Sequence, residues 1–237
     1  KFDEPLQTFG PWSGNISDDA RWAVVSCGDP PTALYVVNLA SGAKTLIKHD
    51  FVKVDYATIS PSGNYYLIVG ELVSGQYDRK KVYRRDTQTL VQSWLEYGRP
   101  SHFDITFDAA GNEIAVGVSK SAPDDGHVIK RRLDTGEVTV LTPFGYAQHT
   151  SARSHRKPGF VVADFYGGAQ WGPYDRHVVL IDVNRPGAVV DLGPTGSNIN
   201  DYWAEPQPCL SPSGSQVIYA SNQGGAEIRP YIVTTGK

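Results

Sequence analysis

One turn motif, repeated along the chain, restricts the fold more than any other feature of the sequence. The stretch "ISPSGNYYLIVGE" at 59–71 returns as "LSPSGSQVIYASN" at 210–222 and more loosely as "FDAAGNEIAVGVS" at 107–119. Segments 16–28 and 154–167 have the same shape, and the turn positions of the five copies lie 43 to 55 residues apart. Repeats of about 40–50 residues are typical of β-propeller blades.

Each copy continues into a second half that reads as a hairpin. The stretch "HVIKRRLDTGEVTVL" at 127–141 shows the pattern: a strand, a Thr-Gly turn and an outer strand. Glycine supplies the positive φ that such turns require. Four short strands per repeat and no long helical pattern predict an all-β β-propeller of four-stranded blades. An irregular β-sandwich is the alternative, but it does not predict a recurring Ser-Pro-x-Gly turn.

The sequence therefore predicts one propeller domain over residues 1–237. Its five units are expected at about 5–47, 48–95, 96–142, 143–193 and 194–237. These units either close into a five-bladed ring or form the C-terminal part of a larger propeller of about seven blades. The chain contains no methionine and begins with Lys1, which favours a processed chain or a fragment.

Composition narrows the class of partner. The hydrophobic content of 40% and charged content of 20% fit a folded protein, while 24 glycines and 16 prolines fit one rich in turns. A net charge of −3 argues against a nucleic-acid partner. The sequence has no apolar run of the roughly 18 residues that a membrane-spanning helix requires.

We expect Cys27 and Cys209 to be reduced and buried, because they fall on strands too far apart for a disulfide.

The Ser-Pro-x-Gly turn and its apolar strand resemble the TolB-type, WD-repeat-related β-propeller repeat over the whole chain. Three segments resemble bacterial propellers related to oligogalacturonate lyases. They are "SHFDITFDAAGNEIAVGVS" at 101–119, "HTSARSHRKPGF" at 149–160 and "DYWAEPQPCLSPSGSQVIYASN" at 201–222. The resemblance implies a secreted or periplasmic bacterial protein that acts on an acidic polysaccharide.

Polar and aromatic residues stand at the start of the strand that precedes the turn in four units. In blades of this kind that strand lines the central channel, so residues distant in sequence would converge at one mouth of it. The residues at these positions are Asp55, Tyr56, His102, Asp104, Gln148, His149, Ser151, Arg153, Tyr202, Trp203, Glu205 and Gln207. We expect His102, His149 and Glu205 to border one cavity.

These residue types suit the β-elimination of a uronate polymer. His149 is the candidate base, with His102 as a second candidate, and Arg153 is the candidate clamp for the sugar carboxylate. Residues 149, 151 and 153 alternate along a strand and would point the same way. The remaining substrate-binding candidates are Tyr202, Trp203, Glu205, Gln207, Asp104 and Ser151.

The resemblance also implies a divalent cation, for which the candidate ligands are His102, His149, Glu205 and Gln207. Gln207 stands where the resembling sequences would place a histidine, and glutamine is a poor ligand for transition metals.

A second interpretation of these polar residues involves no catalysis. Channel strands are often polar because water is there, and a non-catalytic propeller scaffold would bind protein partners through its faces.

Overall fold

The structure is a computed structural model that describes residues 6–8, 16–28, 31–76, 79–95, 98–152, 154–165, 172–198 and 201–236. The chain divides into two compact units, one of residues 1–97 with 133–136 and the other of 98–132 with 137–237. Within the described residues the only helix is a 3₁₀ turn at Tyr202–Ala204, and everything else regular is strand. The expectation of an all-β chain is confirmed.

The first unit contains two four-stranded antiparallel sheets. Blade 1 consists of β1 (Leu6–Thr8), β2 (Trp22–Cys27), β3 (Ala33–Asn38) and β4 (Lys44–Leu46). Blade 2 consists of β5 (Lys53–Ile59), β6 (Tyr65–Glu71), β7 (Arg79–Arg84) and β8 (Leu90–Leu95). Apolar side chains from both sheets, such as Val24, Ile59 and Tyr66, form a shared core.

The second unit contains three sheets. Blade 3 consists of β9 (Ser101–Phe107), β10 (Glu113–Val118), β11 (Val128–Arg132) and β12 (Val138–Val140). Blade 4 consists of β13 (Ala147–Ser151), β14 (Phe160–Phe165), β15 (His177–Asp182) and β16 (Val189–Pro194). Blade 5 has three strands within the described residues, β17 (Cys209–Leu210), β18 (Gln216–Ser221) and β19 (Arg229–Thr234).

The repeated turn has one geometry in three of its copies. The hydroxyl oxygens of Ser17, Ser60 and Ser211 accept hydrogen bonds from backbone amides five residues later, at distances of 3.0–3.1 Å. The carbonyl of the same serine accepts from the residue three positions on, which is Gly63 in one copy and Gly214 in another. Both glycines have φ near +73°, a conformation that a side chain would strain. The motif therefore closes the hairpin between the first and second strands.

Each sheet of the second unit packs against the next one along the chain. Blades 3 and 4 share a core that includes Val116, Leu141 and Phe165. Blades 4 and 5 share a smaller core in which Leu210 and Val217 pack near Val162. Because strands alternate their faces, the other face of blade 5 carries Ile218 and Ile232, which are 45% and 65% exposed.

The two cysteines are both free thiols, but only Cys27 is buried as expected. Cys209 is exposed, and this part of the sequence-based expectation is wrong. Cys209 pairs with Ile218 across β17 and β18, so its side chain shares the face of blade 5 that carries Ile218 and Ile232. The neighbouring Leu210 points the other way, into the core.

None of the helical structure in the described parts of the chain has the length and hydrophobicity to cross a membrane.

Candidate functional site

The first strand of blades 2, 3 and 4 contains a β-bulge near its beginning. In β5 the bulge falls at Asp55, between the paired Val54 and Tyr56. In β9 it falls at His102, whose φ is +37°. In β13 two residues, Gln148 and His149, face a single residue of β14. Bulges turn side chains out of the regular alternation, and here they occur at the polar positions that the sequence singles out.

The residue across from the bulge differs between blades. Gly70 lies across from the bulge of blade 2 and Gly117 across from that of blade 3, and a Cβ at either glycine would collide with the backbone of the bulged strand. In blade 4 the residue across from the bulge is Asp164. An aspartate is accommodated there because its carboxylate bonds to the bulge itself.

Asp164, His149 and Glu205 form a continuous polar line. Asp164 is fully buried, and its Oδ1 accepts a hydrogen bond from the backbone amide of His149 at 2.6 Å. Its Oδ2 lies 3.1 Å from the ring Nδ1 of His149. Because a carboxylate accepts, Nδ1 carries the proton and Nε2 faces outward. That Nε2 lies 3.5 Å from Oε2 of Glu205.

Both titratable groups at the outer end of this line hold their protons more tightly than usual. Burial alone lowers the pKa of His149, but the hydrogen bond and charge of Asp164, with the charge of Glu205, outweigh burial and the opposing charge of Lys120. The net direction for the His149 pKa is upward. Burial raises the pKa of Glu205 in spite of the neighbouring His149. Among the described residues, Oε2 of Glu205 is a buried atom without a hydrogen-bond partner.

His102 lies beside this line. Its ring stacks on the ring of His149 with the two centroids 6.1 Å apart and a 21° angle between the planes. Its Nδ1 lies 2.9 Å from the carbonyl oxygen of Gln148, so this nitrogen is the protonated one. The structure therefore places His149 in contact with both His102 and Glu205, whereas a cavity shared by all three stays a prediction.

Two other candidates have structural partners instead. Asp104 is 2% exposed, and its carboxylate accepts hydrogen bonds from the backbone amides of Ile105 and Ala152 at 2.7 and 2.8 Å. Ser151 is also buried, and its Oγ lies 3.4 Å from the amide of Leu210 and 3.9 Å from the Sγ of Cys209. These contacts tie β9 and β13 to neighbouring segments.

The sequence led us to expect that the aromatic candidates start a strand, but they do not. Tyr202 and Trp203 lie on the 3₁₀ turn, which Asp201 caps by accepting from the amide of Trp203. The strand that follows is short because Pro206 and Pro208 lack the amide hydrogens that a ladder requires. Tyr202, Trp203, Glu205 and Gln207 instead line a groove on blade 5.

Arg153 lies outside the described residues, so its place relative to His149 stays a prediction. For the cation, the described residues contain no group of three or more His, Cys, Asp or Glu side chains placed to hold a metal ion. His149 uses its two ring nitrogens toward Asp164 and Glu205, and Gln207 is exposed. Within the described residues the four candidate ligands therefore do not form a metal centre of this kind.

Asp164 is the residue that sequence reasoning missed. The missed signal is a comparison between repeats. The second strands of units 2 and 3 end in "IVGE" and "AVGV", whereas the unit 4 strand ends in "VADF". A buried aspartate in place of a strand glycine indicates a special partner, because an unpaired carboxylate inside a sheet is costly.

Comparison with solved protein structures identifies the fold. No protein-family profile and no curated protein sequence matches the chain. A solved structure of TolB from Acinetobacter baumannii matches 98% of the chain with a TM-score of 0.59 and 18% identity. An oligogalacturonate lyase in complex with manganese matches 99% with a TM-score of 0.64 and 15% identity. The β-propeller domain of the Trilobed protease from Pyrococcus furiosus matches 92% with a TM-score of 0.55 and 10% identity.

The sheets are β-propeller blades. The resemblance to TolB and oligogalacturonate lyase propellers that the repeat motif indicates is confirmed at the level of fold. The chain spans 52% of the TolB structure and 67% of the lyase structure, so it corresponds to part of each. Identities this low show the fold and do not establish an activity.

Proposed function

We propose that this chain belongs to an exported β-propeller that binds an acidic polysaccharide and cleaves it by β-elimination at the His149 cluster. The observation that carries the proposal is the line from Asp164 through His149 to Glu205. A buried carboxylate orients a histidine, and the histidine faces a second carboxyl group of raised pKa. Pairs of titratable groups tuned in this way are typical of acid–base catalysis.

The reaction requires one base and one acid. Neutral His149 would take up at Nε2 the proton on the carbon α to the uronate carboxylate, while Asp164 stabilises the imidazolium that forms. The electron pair forms a double bond to the β carbon as the glycosidic carbon–oxygen bond breaks. Protonated Glu205 would donate its proton to the departing oxygen. Loss of the proton from Nε2 to solvent and uptake of one by Glu205 from solvent would reset the pair.

Support for the substrate class comes from one of the similar structures, an oligogalacturonate lyase. It also comes from the aromatic groove next to Glu205, since the apolar faces of sugars stack on aromatic rings. A polymeric ligand of this kind is extracellular, and a secreted or periplasmic location is therefore part of the proposal.

The test is a lyase assay with a panel of uronate polymers, in which the ultraviolet absorbance of unsaturated product ends measures turnover. We expect turnover by the wild type and a loss of at least about 100-fold in His149→Ala, because a general base contributes about that much. Binding should change little, since a base acts mainly in the transition state.

A matched control is available in the same blade. His177 lies 2.8 Å from Asp191 on β15 and β16, so it forms a second His–Asp pair away from the cluster. His177→Ala should leave turnover unchanged. Equal activity in the wild type and His149→Ala would contradict the assigned base, and no binding or turnover of any uronate polymer would contradict the substrate class.

A non-catalytic scaffold is the second candidate, favoured by the apolar side chains exposed on one face of blade 5. Ile232 is 65% exposed there and Ile218 is 45% exposed, and exposed apolar patches commonly bind proteins. This function predicts that Ile232→Asp abolishes capture of a protein partner while His149→Ala has no effect. A uronate-dependent activity in the first assay would rule against it.

A further inference from the structure

The groove on blade 5 has the lining of a sugar-binding subsite. Its volume is about 490 Å³, within the range of small-ligand sites. Strand β18 and the beginning of β19 contribute mainly apolar side chains and Arg229, and the segment before β17 contributes two aromatic rings together with Glu205 and Gln207. The residues that matter below are Tyr202, Trp203, Glu205, Gln207, Ile218 and Arg229.

The aromatic side of the groove is held in place and exposed to solvent. Trp203 is 74% exposed and Tyr202 is 55% exposed. Their rings contact edge to face with centroids 5.3 Å apart, and the Asp201 cap fixes the turn that carries them. Large exposed aromatic surface is unfavourable in water, whereas a rigid ring loses little entropy when a ligand stacks on it.

Arg229 is the basic residue of the groove lining. Its side chain is 63% exposed and its Nη2 lies 2.5 Å from Oε2 of Glu227, which is itself 71% exposed. A surface pair of this kind contributes little free energy. A ligand carboxylate can therefore replace Glu227 on the guanidinium at small cost and bind it through two parallel hydrogen bonds.

Glu205 joins the groove to the His149 cluster. It lines the groove and is 8% exposed, and within the described part of the chain its Oε2 is buried without a hydrogen-bond partner. This Oε2 lies 3.5 Å from Nε2 of His149, so a ligand hydroxyl that hydrogen-bonds to the Glu205 carboxyl group from the groove would lie next to the His149 cluster.

We infer that the groove binds the uronate unit next to the one that reacts, with the sugar face on Trp203, its carboxylate on Arg229 and an oxygen at Glu205. The inference rests on the proposed function and extends it, because it assigns the anion-binding residue to blade 5. The inference concerns binding, so its test does not depend on the proton transfer at His149.

The test is calorimetric titration with tetragalacturonate and with the neutral galactose tetramer. We expect Arg229→Ala to weaken binding of the uronate about ten-fold or more, because a charge-assisted bidentate contact is lost. Trp203→Ala should weaken it about five-fold. Glu227→Gln should strengthen it, because Arg229 is then released from its competitor.

Arg185→Ala is the matched control. Arg185 is 68% exposed and pairs with Asp182 at 2.7 Å, much as Arg229 pairs with Glu227, but it lies on blade 4 away from the groove. The Arg185→Ala variant should bind both tetramers as the wild type does. All these side chains are exposed, and thermal unfolding of each variant checks that the fold is intact.

The possible results separate the two proposals. If the wild type binds the uronate and neither Trp203→Ala nor Arg229→Ala weakens it, the groove assignment is overturned while the proposed function stands. Equal loss of both tetramers in Trp203→Ala, with no effect of Arg229→Ala, would overturn the anionic class of ligand. If the wild type binds neither tetramer, both proposals fail. If His149→Ala loses turnover but not affinity while Arg229→Ala loses affinity, both are supported.

Discussion

In blade 3 the bulge of β9 faces Gly117, whereas in blade 4 the bulge of β13 faces Asp164. Both bulges carry a histidine, and the two rings stack on each other. His102 on the first bulge has its Nδ1 on a neutral backbone carbonyl, while His149 on the second has its Nδ1 on a buried carboxylate. Both histidines thus lie on a bulge of the first strand, and they differ in the residue across the sheet.

The difference shows what makes a histidine chemically useful in this fold. A backbone carbonyl orients the ring, but a carboxylate also stabilises the protonated form and raises its pKa. For His149 this effect exceeds the cost of burial. The bulge sets the position of His149, and Asp164 supplies the negative charge beside it. Substitutions on either strand of the pair therefore test the comparison.

The largest effect is expected when blade 4 is given the glycine of blade 3. Asp164→Gly removes the acceptor for both the amide and the ring of His149, and so leaves two largely buried donors without their partner. We expect the free energy of unfolding to fall by about 3 kcal/mol, as when one partner of a buried pair is deleted. Urea denaturation of the variant measures it.

Asp191→Ala is the control for this change, because Asp191 makes the exposed pair with His177. It should cost about 1 kcal/mol or less. If the two variants are equally stable, Asp164 is not the anchor of the site.

The converse change adds a side chain opposite the bulge of blade 3. Gly117→Ala places a Cβ against the backbone carbonyls of Ser101 and His102. We expect a loss of about 2–3 kcal/mol, since the backbone must shift. Gly187→Ala is the comparison, because a Cβ there meets open space and only the positive φ of 84° opposes it. It should cost about 1 kcal/mol, and equal losses would show that β9 adjusts freely.

The smallest effect concerns protonation. His149 should titrate above the usual 6.5 in an NMR pH series, whereas His49, whose pKa is lowered by burial despite nearby Asp50, should titrate below it. A raised folded pKa stabilises the folded state fully below pH 6.5, and this contribution is lost as the pH rises through the folded pKa. The sign for His49 is the opposite, with stability lost as the pH falls.

Asp164→Asn tests the cause of the His149 shift. It keeps the side-chain volume but removes the charge, so the His149 pKa should drop while the His49 pKa stays. A His149 resonance that titrates unchanged in Asp164→Asn would assign the shift to Glu205 instead.

Much of the fold follows from local pattern. The turn at Ser60 and Gly63 recurs at Ser211 and Gly214 because each uses the same serine hydroxyl and the same positive φ. Such signals lie within a few residues, so they can be read from one sequence. The meeting of His102, His149 and Glu205 also follows, once equivalent positions of repeats are assumed to stack.

What the sequence does not reveal depends on pairing across strands. A bulge shifts the register by one residue, and nothing in "AQHTS" itself marks it. The role of Asp164 depends on that register, because only a bulge brings its carboxylate to the ring of His149. The exposure of Cys209 depends on which face of blade 5 is covered, and the 3₁₀ turn at Tyr202 depends on the Asp201 cap, which competes with strand pairing.

The glycines across from the bulges of blades 2 and 3 also bear on how a repeat protein gains a charged group inside a sheet. Glycine and aspartate codons differ by a single base, and repeated blades present the same backbone niche several times over. A change in one copy can introduce a charged group while Gly70 and Gly117 leave the other copies unaltered. Duplication of this repeat therefore multiplies the positions at which a single mutation can place a carboxylate opposite a bulge.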